Sequence, residues 1–583
     1  MGCRREEVDL AFFRTEANMK TKNLYPVLLA LAASQASAQT YNNLWVPPTM
    51  SGTTFNLSLN VTNKQFFTGA KTVTYAYNNS DFWGPTLIMN KGDTVQINLT
   101  NNLPDTTTTH WHGFHIPAIM DGGPHQIIPA GTTWSPVFEV KNSAATYWFH
   151  PHLHQMTQNH LTHGAGAMII VRDAQEAALP LPRTYGVDDF TLALTSRRFA
   201  TIGGVANQVV LTNCAYGDYL LVNGTMNAQV TLPAQYVRLR VLNAEIERSY
   251  NLGFGDNRTF YVIATDGGLV NAPIPVTRVM IGVGERVELL VNLSTNAVGS
   301  TLDLKSYNSG QGQGYPGGEP QSTGQFGSQL NNTTFNVLHI NVAAATTDPS
   351  PITTLPTVLT TNTFWTTSDV THSRTINITG GTPGTAFTFD NQAFNIDVIN
   401  QTLNFNAVEQ WTIVNNSPFS HSFHIHDIQF NLVSRVGGSG AIAAYERGWK
   451  DTCYVQQNST VSFIAKFDTF ASYNNPFMYH CHFSNHEDEG TMGQFLVLNN
   501  AVEDLAIASF TRIGTNGNVS LQFNSTPGTT YKLQYSGTML TGSWSDIGYV
   551  TSDGSTANFT DTDPTRLSQA RGFYRVAMPV INY

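Results

Sequence analysis

No stretch constrains the fold of this chain more than Tyr479-His480-Cys481-His482-Phe483-Ser484-Asn485-His486. Successive side chains of a strand point to opposite faces. Read as a strand, His480 and His482 share one face and Cys481 takes the other. A metal held by Cys481 and a separate metal group held by the flanking imidazoles would then be joined by only a few covalent bonds. His486 follows His482 by four residues, where a turn can return it to the Cys481 side. A thiolate with imidazoles is the ligand set of an electron-transfer copper site.

Three other motifs show the same spacing: His110-Trp111-His112-Gly113, His150-Pro151-His152 and His421-Ser422-Phe423-His424-Ile425-His426. Period-2 alternation pairs His110 with His112, His150 with His152 and His424 with His426 on common faces. The four motifs supply ten histidines and one cysteine. Three of these, His421, Cys481 and His486, suit a trigonal copper. The other eight, His110, His112, His150, His152, His424, His426, His480 and His482, are neutral nitrogen donors, more than one metal needs. Two or three clustered coppers between the first and third parts of the chain would use them. Zinc competes for histidine-rich sites. Being redox-inert, it would give a neighbouring thiolate copper nothing to exchange electrons with.

The scaffold is expected to be all-β. Short alternating runs such as Asp93-Thr94-Val95-Gln96-Ile97-Asn98-Leu99 are separated by Gly, Asn and Pro. Such runs predict β-sandwiches. At roughly 150 residues per domain, 583 residues make about four domains. We expect sandwiches over 41–173, 174–346 and 350–500, and a small all-β module over 505–583. The second sandwich holds only His339 and reads as a spacer, with a Gly, Gln, Ser and Asn-rich loop over 308–332. The last module has no histidine and fits a spacer or a contact with glycan or a cell surface.

Charged residues are 12% of the chain and the net charge is −10, without a Lys/Arg run. Nucleic acid is therefore not an expected partner. Residues 1–18 read as an extension or a misassigned start. Residues 19–38 combine basic Met19-Lys20-Thr21-Lys22, an apolar run from Leu24 to Ala33, and Ala36-Ser37-Ala38. That pattern is a secretory signal peptide and predicts a secreted or periplasmic protein. No later apolar run approaches about 18 residues, so no membrane span is expected. Cys3, Cys214, Cys453 and Cys481 make no disulfide framework. Cys214 and Cys453 form one bridge or remain two buried thiols.

The order of the four motifs resembles the multicopper oxidases over about residues 42–500. His-Trp-His-Gly followed by Met120-Asp121-Gly122-Gly123-Pro124, and His486-Glu487-Asp488 followed by Met492, are similar to three-domain bacterial laccases, including copper-efflux oxidases and spore-coat laccases. The resemblance implies three cupredoxin-like Greek-key sandwiches and four copper ions. His421, Cys481 and His486 match type 1 ligands, and His110 and His424 match type 2. His112, His150, His152, His426, His480 and His482 match the type 3 pair. Phenols or aromatic amines would lose single electrons at type 1. Those electrons would cross Cys481 to His480 and His482, and O2 would become water at the trinuclear cluster.

Glu487 and Asp121 match acids that deliver protons, a task needing a carboxylate within hydrogen-bond reach. Asp451, in Gly448-Trp449-Lys450-Asp451-Thr452, either contacts substrate or fixes a loop. The family's axial position falls on Thr491, a poor copper ligand, unless a loop shift brings in Met492. The alternative substrates are Cu(I), Fe(II) or Mn(II). Thioethers suit Cu(I), and no Met occurs between Met280 and Met478, which weakens cuprous oxidation. A copper-free binding protein is a third reading, opposed by the retention of all eleven ligands.

Overall fold

The computed structural model describes residues 40–577, except 203–204, 211–213, 313, 323, 325, 382–384, 439, 500–506, 514–516, 526–529, 539–542, 553–555 and 570. The expected signal peptide, the expected extension before it and Cys3 lie outside the described residues.

The fold is nearly all β, as the alternating runs predict. The first sandwich packs two five-stranded sheets. One of them ends on strand β1 (His110–His112), paired antiparallel to β2 (Ala145–His150). A short helix, α1 (Thr157–His163), follows. Phe55, Leu57 and Leu59 on one face of an alternating strand meet Trp111, Tyr147 and Phe149 in the core between the sheets. Asn42 and Asn43 pair instead with Ala228 and Gln229, on the edge of a second-sandwich sheet.

The second sandwich has seven-stranded and six-stranded sheets. Its β3 (Tyr236–Asn243) and β4 (Arg286–Asn292) are antiparallel neighbours. In Val237-Arg238-Leu239-Arg240-Val241 the apolar residues enter the core, while alternation alone assigns the arginines to solvent. Both are fully buried instead. Arg240 donates to Asp189 and Glu288, and Arg238 to Glu176 and Glu288. Thr146 of β2 donates to Glu288 at 2.7 Å. The charged face of this sheet is thus a junction with the first sandwich, neutralised by paired acids.

The third sandwich places β5 (His421–Ile425), β6 (Thr452–Val455), β7 (Phe477–Cys481) and, after helix α2 (Ser484–Asp488), β8 (Met492–Leu498) in one sheet. Its core includes Trp411, Phe423, Phe463 and Phe495. Beyond it, two three-stranded sheets enclose Val519, Leu521, Phe523, Tyr531, Leu533 and Ala557. Cys214 and Cys453 are both buried free thiols.

Candidate metal centre

Strand register gathers the imidazoles. The β1–β2 pairing sets His110 opposite His150, and the β5–β7 pairing sets His424 opposite His480. Directly opposed residues lie on one face, so each pairing delivers two rings to the same side. The second histidine of each motif follows two residues on. The sandwiches then bring both sets together: His110 stacks on His426 and His112 on His424, each with ring centroids 3.8 Å apart. The ligand nitrogens of His112, His150 and His482 lie within 4.8 Å of one another, as do those of His152, His426 and His480, and of His110, His112 and His424.

The backs of the rings are anchored. The Nδ1–H of His110 donates to the Asp121 carbonyl, of His150 to the Pro151 carbonyl, of His424 to the Asp451 carbonyl, and of His480 to the Cys481 carbonyl. His426 Nδ1 donates to Asp121 Oδ2 at 2.6 Å, and His152 Nδ1 lies 2.8 Å from Glu487 Oε1. In these six rings Nε2 is the free nitrogen. His112 is turned around: its Nε2 donates to Asp451 Oδ1 at 3.1 Å, and its Nδ1 lies 3.1 Å from His482 Nε2.

The Nε2 atoms of His110, His150, His152 and His424 are buried without a protein partner. Buried polar atoms are rarely left so, and converging lone pairs of this kind fit a metal cluster. Burial first, then crowding by like rings, pushes His112, His150, His424, His426 and His482 well below the usual histidine range. His152 sits at about 4, where burial outweighs the upward pull of Glu487. Neutral imidazole is the form a metal requires.

Cys481 ends β7 on the other side. Its Sγ lies 3.4 Å from His421 Nδ1 and 3.7 Å from His486 Nδ1. Helix α2 supplies the turn that brings His486 back. His421 Nε2 donates to Ser417 Oγ at 3.0 Å, which leaves Nδ1 facing the sulfur. Val283, Phe419 and Phe483 pack around the thiol. Burial raises the thiol pKa and lowers His486 to about 3. Thr491 is buried and its hydroxyl donates to the Phe387 carbonyl at 2.7 Å. Met492 packs with Met478 and Phe394 in a separate cluster.

The three acids lie behind the rings. Asp121 holds His426, and Glu487 accepts from Thr157 Oγ1 at 2.6 Å besides touching His152. Asp451 is fully buried between His112 and Arg286. His115, His125, His154, His160 and His163 enter none of the triads.

The second sandwich is more than a spacer at two points. Arg286 reaches Asp451, and Glu247 reaches the thiol site, with its Oε2 3.8 Å from His486 Nε2. Sequence reasoning missed both. The signal available was an Arg and several Glu in strands and turns otherwise apolar. Glu247 accepts from Tyr216 Oη and Asn485 Nδ2, both at 2.7 Å, and burial pushes it up to about 8. It borders a cleft of about 540 Å³ walled by Glu319, Phe326, Phe387, Phe419 and His486. Glu319 and Phe326 come from the 308–332 loop.

Family models described as multicopper oxidase match residues 60–176, 204–300 and 367–501. The cell division protein FtsP of Sodalis glossinidius is 30% identical over 475 residues, 80% of this chain and 95% of that one. The laccase-like multicopper oxidase CueO of Ochrobactrum sp. superposes with a TM-score of 0.68 at 29% identity, covering 78% of this chain and all of that one. McoA of Aquifex aeolicus gives 0.69 at 26% identity, covering 79% and 100%. With three family-model matches and relatives aligned over nearly their whole length, the chain belongs to the multicopper oxidase family.

Proposed function

We propose that this protein is a secreted or periplasmic laccase-type oxidase. It couples one-electron oxidation of phenols or aromatic amines to reduction of O2, in the balance 4 ArOH + O2 → 4 ArO• + 2 H2O. The observation that carries the reading is the thiol of Cys481 lying between His421 and His486 nitrogens while the adjacent His480 and His482 belong to the imidazole cluster.

In this reading four coppers bind. Type 1 is held by His421, Cys481 and His486, and type 2 by His110 and His424. One type 3 ion is held by His112, His150 and His482, the other by His152, His426 and His480. Copper at these positions supplies one-electron oxidation at the thiolate and oxygen reduction at the cluster. The backbone between Cys481 and its neighbours is the shortest covalent route from one to the other. Glu487 and Asp121, which accept hydrogen bonds at the backs of the rings, are the carboxylates through which protons would be relayed to the cluster. Thr157 orients Glu487.

The aromatic walls of the cleft at His486 suit a flat donor, and Glu247 is set to accept from its O–H or N–H. Among the described residues lining that cleft none is methionine, which favours an organic donor over Cu(I). The name of the FtsP relatives points to cell division, and a second reading is a binding role there that uses no metal. Converging unpartnered nitrogens in a sealed interior favour the copper reading, because each is costly unless it binds something.

Steady-state O2 uptake with a phenol and with Fe(II), each with and without added Cu(II), tests the proposal. The phenol is expected to be turned over without added Cu(II) and faster than Fe(II). Turnover of Fe(II) alone would overturn the substrate class, and no turnover of either would overturn the oxidase.

A further inference from the structure

His112 differs from the other anchored rings of the cluster in presenting Nδ1 to its neighbours rather than Nε2. A neutral imidazole carries one N–H, and which nitrogen bears it is set by the acceptor at its back. Here the acceptor is Asp451 Oδ1, with Thr452 Oγ1 also 3.2 Å from Nε2. Asp451 is itself clamped: Arg286 Nη1 donates to Oδ1 at 2.7 Å and Nη2 to Oδ2 at 2.6 Å.

The guanidinium has no freedom left. Its Nε donates to the Thr146 carbonyl at 3.0 Å, Nη1 also to the Gly284 carbonyl at 3.1 Å, and Nη2 also to the Asp266 carbonyl at 2.9 Å. All five guanidinium donors are thereby used, by residues of all three sandwiches. Arg286 and Asp451 are both fully buried. The glycine of His-Trp-His-Gly makes room for the pair. Gly113 has φ +81°, and a Cβ there would meet Asp451 Oδ2 at 2.3 Å and Arg286 Nη2 at 2.7 Å.

We propose that the Arg286–Asp451 ion pair is a positioning device that fixes His112 as its Nε2–H tautomer and so aims Nδ1 at the metal position shared with His150 and His482. Arg286 thus gives the ligand-free second sandwich a part in metal binding. The inference rests on the ligand assignment given under Proposed function. An uncharged acceptor in place of Asp451 can present either N–H or C=O to the ring, and the tautomer is no longer fixed. Lysine in place of Arg286 keeps the charge but lacks the planar fork that grips the two carboxylate oxygens with parallel hydrogen bonds.

The test is copper titration of the full chain against a competing chelator, with the visible thiolate–copper absorption recorded in the same samples. The samples are wild type, Asp451→Asn, Arg286→Lys and a control, Glu288→Gln. Glu288 belongs to the buried ion cluster of the same sheet but touches no ring of the metal site. Ring-orienting partners typically tune metal affinity by about 10–100-fold. The expected result is that Asp451→Asn weakens one or more cluster coppers by that factor and Arg286→Lys by less, while the thiolate absorption persists and Glu288→Gln binds copper as wild type does.

Wild-type affinity in Asp451→Asn, with four coppers in wild type, overturns the positioning role alone. Loss of thiolate and cluster copper in equal measure, with the melting temperature of the copper-free variant falling beyond that of Glu288→Gln, makes the pair a structural pin and also overturns it. Wild-type protein that takes up no copper overturns the ligand assignment and this inference together.

Discussion

The Nε2 atoms of His426 and His480 lie 3.3 Å apart in a space closed to solvent. Each ring already gives its Nδ1–H away, His426 to Asp121 Oδ2 and His480 to the Cys481 carbonyl. With both Nδ1–H groups so committed, the two Nε2 atoms face each other, an arrangement that a cation between them would satisfy. His426→Ala is therefore expected to lower O2 uptake at least about 100-fold and to leave the visible absorption of the Cys481 site in place. Parallel measurement of both quantities checks it. Loss of the absorption with the activity would mean that the two centres are not separate.

Thr491 offers the thiol site no strong fourth ligand, because its hydroxyl is engaged by the Phe387 carbonyl. Axial ligand identity tunes the potential of such coppers. Thr491→Met introduces a thioether and is expected to lower the potential. A redox titration of the visible band decides this, and an unchanged or higher potential contradicts it.

Glu247 lies at the only nitrogen of His486 that does not face Cys481. Above about pH 8, where the Glu247 carboxyl is ionised, Glu247→Gln keeps the shape but replaces one charged oxygen, which accepts from Tyr216 or Asn485, with an NH2 that cannot accept. Hydrogen bonds to charged groups contribute about 1.5–3 kcal/mol, so kcat/KM for a phenol should fall about tenfold or more. Copper content should not change. Equal kcat/KM in both proteins would remove Glu247 from substrate binding.

Asp189 predicts an acid limb of stability. Burial alone would raise its carboxyl, but Arg240 and Arg238 outweigh burial and hold it at about 2, against 3.8 ordinarily. The folded state thus keeps Asp189 ionised at acidities where the unfolded chain binds the proton. Its contribution is full above the unfolded value and disappears as pH falls from about 4 to about 2, amounting to roughly 2 kcal/mol. Urea unfolding across that window should show wild type losing stability and Asp189→Asn, although less stable throughout, showing a shallower slope. Identical slopes would contradict the assignment.

The ligand motifs were legible because a period of two is a property of the strand itself. His110 and His112, or His480 and Cys481, can be assigned to faces without knowing what lies beyond them. Which sheet faces solvent is a tertiary matter. Arg238 and Arg240 alternate as a solvated strand would, yet they neutralise Glu176, Asp189 and Glu288 against the first sandwich. Arg286, Glu247 and Asp451 share no spacing with the residues they serve. Arg286 is 165 positions from Asp451, and Asp451 is 339 from His112. Local pattern carries no trace of such contacts. Asp451 stood out in sequence only by lying between two motifs, and its partner on each side appeared with the fold.

The central claim is that Cys481 and the imidazole cluster form one electron path from a donor to O2. Copper-loaded protein should be mixed with excess phenol under argon, followed at the visible thiolate band, and then exposed to air after the phenol is removed. The account predicts that the band bleaches under argon and returns on admission of O2, with water as the product. A band that never forms on copper loading, or one that bleaches and is not restored by O2, would contradict it.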